Sequence, residues 1–302
     1  MTEAPERVAE GAPSGGSRGT EFPETGLRET YRHQGFVVVP GLLDAEQIAR
    51  YRQRAREVVL GDIPAEAKRR LMRDVRIAKG LVPEPGDPED GMWKILNPDR
   101  FDATFRRFLT TPRLLDVAET LLGPDLISFL LMFIYKPKRI TSVHPFHQDA
   151  YYFPFGPDDD IAGVWVPLDD TDADNGGLTV VPGSHRGPIL DHAMPDELTN
   201  ARAYGIPGAD AHEDAVTLEV AAGDAVFFHS RLWHKTGSNV TERHRRVLTM
   251  HVCSARCAMT HEATIDEFGM TLVRGRTRPG CLEPTAAPRL DLNLSDEVTF
   301  RS

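Results

Sequence analysis

The chain has 302 residues, 40% hydrophobic and 26% charged, enough apolar material to bury one sizeable core. A formal net charge of −10, from 45 acidic and 35 basic residues, leaves no positive footprint for wrapping DNA or RNA, so nucleic acid is excluded as an expected partner. Three cysteines, Cys253, Cys257 and Cys281, are odd in number and show no paired spacing. That argues against a disulfide framework and for a reducing compartment, with the cytoplasm as the default location.

Residues 1–26, MTEAPERVAEGAPSGGSRGTEFPETG, are rich in Gly, Pro, Ser and Glu and contain no apolar stretch of signal-peptide type. They are expected to form a disordered tail, leaving 27–302 as a single domain. GFVVVP (35–40) reads as a short strand, and Asp44 with Gln47 three residues on resembles a capping box. Ile48, Tyr51, Ala55 and Val58 then recur on one helical face. Thr111-Pro112 and Gly123 bracket a second helix, RLLDVAETLLG. Helices are thus expected to dominate the first 125 residues.

Beyond that point the pattern changes to short β-rich segments: LISFLLMFIY (126–135), AGVWVPL (162–168), LTVV (178–181), VTLEV (216–220), AVFFH (225–229) and VLTMHVC (247–253). Turn signals such as Asn175-Gly176-Gly177, Pro182-Gly183 and Gly223-Asp224 separate them. The longest apolar run is about half of the roughly 20 residues a helix needs to cross a bilayer, so no membrane association is expected. The expected fold class is mainly β with flanking helices, a jelly roll.

Chemistry concentrates in HPFHQDAYYFP (144–154). In an extended segment residues i and i+2 point the same way, so His147 and Asp149 can present an imidazole and a carboxylate to one point. A matching His212-Glu213-Asp214 lies in the polar loop GADAHEDA, with no strand before it to fix its geometry. A facial triad of two histidines and one carboxylate leaves three open positions on an octahedral Fe(II). The second histidine must come from GDAVFFHSRLWHKTGSNVTERHRRVLTMH, which offers His229, His234, His244 and His251, and spacing alone does not choose. Position favours His234, which opens a turn and is followed eleven residues later by Arg245, a guanidinium able to take a carboxylate bidentately.

The sequence resembles the phytanoyl-CoA dioxygenase family of Fe(II)/2-oxoglutarate-dependent oxygenases. The resemblance lies in HPFHQDAYYFPF, IAGVWVPLDDTDADNGGLTVVPGSHRG and GDAVFFHSRLWHKTGSNVTERHRR, with MRDVRIAKG (72–80) a weaker match, and spans roughly residues 30 to 255. It implies a double-stranded β-helix, cupin-like, with iron held by His147, Asp149 and His234. It also implies that Arg245, helped by Thr236, binds the distal carboxylate of 2-oxoglutarate, and that Lys94, Met132, Gln148 and Trp165 line that pocket. Cofactors are then Fe(II), 2-oxoglutarate and O2, with ascorbate in support. Asp149 stands where related halogenases carry a small residue, so hydroxylation is expected, although desaturation, epoxidation or cyclisation uses the same ligands.

Plainer readings exist for several of these residues. His229, beside apolar Phe227 and Phe228, fits a hydrogen-bonded core histidine better than a ligand. Arg246 would point away from Arg245 in an extended strand, and Trp165 suits a strand core as well as a pocket. Lys68, Arg69, Arg70, Arg73, Arg76 and Lys79 form a basic patch that fits a solvated helix face or the phosphates of a coenzyme A or carrier-protein thioester. Cys253, Cys257 and His261 match no familiar zinc spacing. The expected substrate is a small molecule, either an acyl thioester or a secondary metabolite; the competing functions are a non-catalytic cupin-like binding protein and a zinc hydrolase.

Overall fold

The computed structural model describes residues 24–139, 143–194, 203–261 and 268–285. Of the tail expected over 1–26, residues 1–23 lie outside the described residues. The first half of the described chain holds helix α1 (Glu24–Gln34), strand β1 (Phe36–Val39), α2 (Ala45–Val59), β2 (Leu71–Arg73), α3 (Val75–Ala78), β3 (Met92–Leu96), α4 (Ala103–Phe108) and α5 (Pro112–Leu122). Then come β4 (Leu126–Lys136), β5 (His144–His147), β6 (Phe155–Gly156), β7 (Ile161–Pro167), β8 (Leu178–Val180) and β9 (Val216–Thr217). The remainder is β10 (Ala225–His229), β11 (His234–Thr236), β12 (Arg245–Ser254), β13 (Ala258–Met259) and β14 (Thr271–Arg274).

The capping box at α2 forms as the sequence implies: the Asp44 carboxylate accepts from the Gln47 amide, and the Gln47 side chain accepts from the Asp44 amide. That satisfies two of the backbone donors a helix start leaves over. Strands β2 and β3 run within the region expected to be mainly helical. They are three and five residues long, too short for period-two alternation to show, but both pair antiparallel at one end of the main sheet.

The main sheet has eight strands in the order β1-β10-β7-β12-β4-β3-β2, with β14 also pairing β4. The second has four, β5-β11-β8-β9. Every reported pairing is antiparallel, and the two sheets close a jelly roll. One apolar cluster joins them, with Trp165, Val226, Phe228 and Val247 from the main sheet meeting Leu178 and Val180 from the smaller one. The outer face of the main sheet carries the helices: Leu248, Met250 and Val252 of β12 are buried in one cluster with Ile48, Tyr51, Ala55 and Val58 of α2 and Leu114 and Leu115 of α5. Each such side chain contributes roughly 1.5–3 kcal/mol on burial.

Strand alternation therefore sorts β12. Even-numbered Leu248, Met250 and Val252 face the helices, and Arg245, Val247, Thr249 and His251 face the space between the sheets. The interior is packed tightly at Gly163, which pairs with Phe228: a Cβ built there would stand 2.2 Å from the Phe228 ring, itself 4.7 Å from the His234 ring. Gly163→Ala is expected to cost roughly 1–3 kcal/mol through overpacking. Urea unfolding of the two proteins measures it, and equal midpoints would remove this account of the glycine.

Candidate metal centre

His147 ends β5 and His234 begins β11, and the two are direct cross-strand partners. Their ring centroids are 4.1 Å apart. Asp149 follows β5 at the start of a single 3-10 turn, which returns its carboxylate toward both rings. The Asp149 Oδ1 lies 3.4 Å from His147 Nε2 and 3.6 Å from His234 Nε2. One ligand atom from each of the three lies within 4.8 Å of the others, all three residues are buried, and among the described residues this is the one group of three able to hold a metal. Ligands on adjacent vertices of an octahedron with bonds of ~2.1 Å stand about 3 Å apart, so the spacing fits a shared ion.

Hydrogen bonds aim the rings. His147 Nδ1 lies 2.9 Å from the Pro145 carbonyl and His234 Nδ1 2.9 Å from the Leu232 carbonyl. A carbonyl only accepts, so the ring hydrogen sits on Nδ1 and the Nε2 lone pair of each ring faces the centre. Burial pulls His234 down to about 4, reinforced by the neighbouring His147 ring. Burial alone would raise the Asp149 carboxyl, but the neighbouring imidazoles, His251 and His234 foremost, outweigh it and hold the group well below the usual carboxylate range. Asp149 and His234 are thus ready for a cation without first losing protons.

The other three candidate histidines are engaged elsewhere. His229 Nε2 is 3.0 Å from Asp159, which also takes Arg231 at 2.6 Å, matching its reading as a satisfied core residue. His244 Nε2 is 2.9 Å from Asp90. His251 reaches the centre indirectly, its Nε2 2.8 Å from Asp149 Oδ2.

Arg245 is 1% exposed, and none of its three guanidinium nitrogens has a partner among the described residues. Burial pulls it down to about 9 against the opposing charge of Asp169. It faces the interior 6.0 Å from the Trp165 ring. Arg246 has the opposite environment: Asp169 accepts from its Nε and Nη2, each at 2.9 Å, and also from Arg52 of α2. The buried guanidinium awaiting an anion is therefore Arg245.

These observations agree with the comparisons to known proteins. The sequence profile of the family Phytanoyl-CoA dioxygenase (PhyH) matches residues 31–247. The phytanoyl-CoA dioxygenase of Bos taurus, described as peroxisomal, is 32% identical over 235 residues, covering 76% of this chain and 68% of that protein. The chain belongs to the phytanoyl-CoA dioxygenase family. A probable phytanoyl-CoA dioxygenase of Caenorhabditis elegans is likewise 32% identical over 232 residues, 74% of this chain and 73% of its own length. Among solved structures, the epimerase SnoN in complex with Fe3+, alpha ketoglutarate and nogalamycin RO superposes with a TM-score of 0.61 at 27% identity, over 88% of this chain and 95% of that one.

The remaining residues that the family resemblance singled out stand on β3, β4, β7 and β11 and directly after β5. Met132 of β4 is half-buried and pairs with Thr249, which also pairs with the buried Trp165. Thr236 of β11 is half-buried opposite His144. Lys94 pairs with Ile134, and its ammonium stands 3.9 Å over the Trp93 ring. Gln148 is turned to the backbone instead: its amide nitrogen donates to the Pro188 and Arg231 carbonyls, each at 3.0 Å, and its oxygen accepts from the Leu190 amide at 2.8 Å. Its own amide donates to His192 Nε2 at 2.9 Å, so Gln148 ties the 188–192 segment to the strand that carries His147.

Sequence reading passed over Thr249, whose buried hydroxyl has no partner among the described residues. It also read His251 only as a rival ligand. Their signal is the alternation Arg245, Val247, Thr249, His251, three polar side chains on the inward face of an otherwise apolar strand. In the basic patch, Arg70 is 1% exposed and Arg73 pairs with Glu84 at 2.8 Å, so the patch is not one free cationic face. Cys253 and Cys257 are buried in an apolar cluster with Phe129, Phe153 and Phe155. No helix among the described residues is long and apolar enough to cross a membrane.

A pH dependence follows. Burial, then the neighbouring His185, pulls His229 down to about 4, and His234 shares that value. Both titrate near 6.5 when unfolded. Between these limits the unfolded chain binds the extra protons, so folding stability is complete above about 6.5 and is lost as pH falls toward 4, by up to ~1.4 kcal/mol per pH unit for each group. Denaturant midpoints of the metal-free protein across that range measure the slope. His229→Gln is expected to flatten it, and an unchanged slope would remove His229 from the account.

Proposed function

We propose that this enzyme is an Fe(II)/2-oxoglutarate-dependent oxygenase that hydroxylates an unactivated C–H bond of a small molecule, an acyl thioester or a secondary metabolite. The observation that carries this is the presence together of three buried metal-ligand atoms within 4.8 Å of one another and a buried guanidinium with no partner among the described residues. The first fits a facial ion, and the second fits the far carboxylate of a dicarboxylic keto acid. The chemistry supplied when iron, 2-oxoglutarate and O2 are bound is decarboxylation of the keto acid to succinate and CO2, coupled to oxygen insertion into the substrate, with ascorbate as a supporting reductant.

The chain's own residues do the rest. His147 and His234 would hold the metal through Nε2, and Asp149 through Oδ1. Arg245, with Thr236, would fix the distal carboxylate bidentately and so orient the keto end toward the metal. Trp165, Val226, Phe228 and Val247 form the apolar surroundings that keep water from the reacting centre. Met132 and Lys94 would line the 2-oxoglutarate pocket, and Tyr152, with its ring 6.1 Å from His147, would border the metal. With metal bound, the Asp149 carboxylate would take the position a halide needs, which favours hydroxylation over halogenation. The thioester form of the substrate rests on kinship with the phytanoyl-CoA dioxygenases, and the location proposed for the chain is the cytoplasm.

The test is substrate-stimulated succinate formation from 2-oxoglutarate with added Fe(II), across a panel of acyl thioesters and free acids, with product masses recorded. Asp149→Ala is expected to abolish turnover; undiminished turnover would remove the site assignment. Arg245→Gln is expected to raise the KM for 2-oxoglutarate ~10–100-fold, the loss of a charge-assisted pair worth about 1.5–3 kcal/mol. An unchanged KM would place the dicarboxylate elsewhere. Activity that persists without 2-oxoglutarate would favour a hydrolase instead.

A further inference from the structure

We infer that His251 is a positioning residue that makes Asp149 a one-oxygen ligand and so keeps three coordination positions free. The inference rests on the reading of His147, Asp149 and His234 as the iron site. A carboxylate can meet a metal with one oxygen or with both, and the two modes differ by a rotation that brings the second oxygen inward. Here the two oxygens of Asp149 have separate neighbours. Oδ1 faces the Nε2 atoms of His147 and His234 at 3.4 and 3.6 Å, and Oδ2 faces His251 Nε2 at 2.8 Å. A carboxylate is an acceptor, so the hydrogen in this contact is carried by His251 Nε2.

The imidazole is itself held in place. His251 is 2% exposed on the inner face of β12, between Leu130 of β4 and Gly163 of β7, with the rings of Phe153 and Phe129 at 5.4 and 5.9 Å. A bulge follows it, between His251 and Val252. Turning Oδ2 toward the metal would break a buried charge-assisted hydrogen bond and leave a donor unsatisfied. The count of open positions decides why this matters. Three protein atoms leave three vertices, two for a keto acid chelating through two oxygens and one for O2, whereas a two-oxygen Asp149 would leave only two.

The experiment uses Co(II) as a stand-in that O2 does not consume. Its dissociation constant, its visible spectrum and the spectral response to 2-oxoglutarate are measured for the wild type, Asp149→Ala, His251→Phe, His251→Gln and His251→Asn. Wild type is expected to bind one Co(II), and Asp149→Ala to lose most of that affinity. His251→Phe, which keeps the ring packing and removes the donor, is expected to bind Co(II) ~10–100-fold more weakly, with an altered spectrum and a blunted response to 2-oxoglutarate. The amide nitrogen of Gln can stand where Nε2 stands, so His251→Gln is expected to restore all three readouts, and the shorter Asn is expected to behave as Phe. Should the Phe variant not fold, the Gln and Asn pair decides. Wild-type affinity, spectrum and response in Phe or Asn, or no difference between Gln and Asn, overturns the inference and leaves the iron site standing. Failure of the wild type to bind Co(II), or full binding by Asp149→Ala, overturns the iron-site reading itself and the inference with it.

Discussion

The pairing of β5 with β11 is the constraint on which everything else depends. It sets His147 directly across from His234 in the smaller sheet, and no loop conformation has to be selected to bring the two imidazoles together. Backbone carbonyls two residues earlier in each case, Pro145 and Leu232, then turn both rings the same way. Asp149 completes the set because β5 stops at His147 and the chain enters a tight turn. A site assembled from ladder hydrogen bonds and a turn is held to sub-ångström tolerance by the same forces that hold the fold.

The main sheet supplies the second half of the site and touches the first through His251, whose Nε2 is 2.8 Å from Asp149 Oδ2. Its strand β12 runs between β4 and β7 with its apolar side sealed by helices, and that seal lets the opposite side carry a guanidinium, a hydroxyl and an imidazole. A buried guanidinium with no partner among the described residues is expensive, and burial lowers the Arg245 pKa to about 9. That cost is tolerable where a dianion arrives to offset it. Membership of the phytanoyl-CoA dioxygenase family agrees with that arrangement of buried charge.

Much of this was legible in the sequence because it is local. The capping box at Asp44 and Gln47 is a four-residue pattern, and β4, β7, β10 and β12 are apolar runs with turn residues at their ends. His147 and Asp149 could be placed together by strand alternation alone. What was not legible depends on partners far along the chain. The choice of His234 over His229 turns on which strand pairs with β5, and β11 is only three residues long. The contacts of Gln148 with Pro188, Leu190 and Arg231, and of His251 with Asp149 across 102 positions, leave no periodic trace. Strands β2 and β3 were hidden because strands of three and five residues carry too little alternation.

Adjacent arginines on β12 have unlike duties: Arg245 faces inward, and Arg246 is locked to Asp169 beside α2. Gaining or losing one residue inside this strand would exchange their sides, turning the locked cation into the cavity, exiling the other, and inverting Thr249 and His251 with them. Length variation in relatives of this chain should therefore be absent from Arg245 to His251.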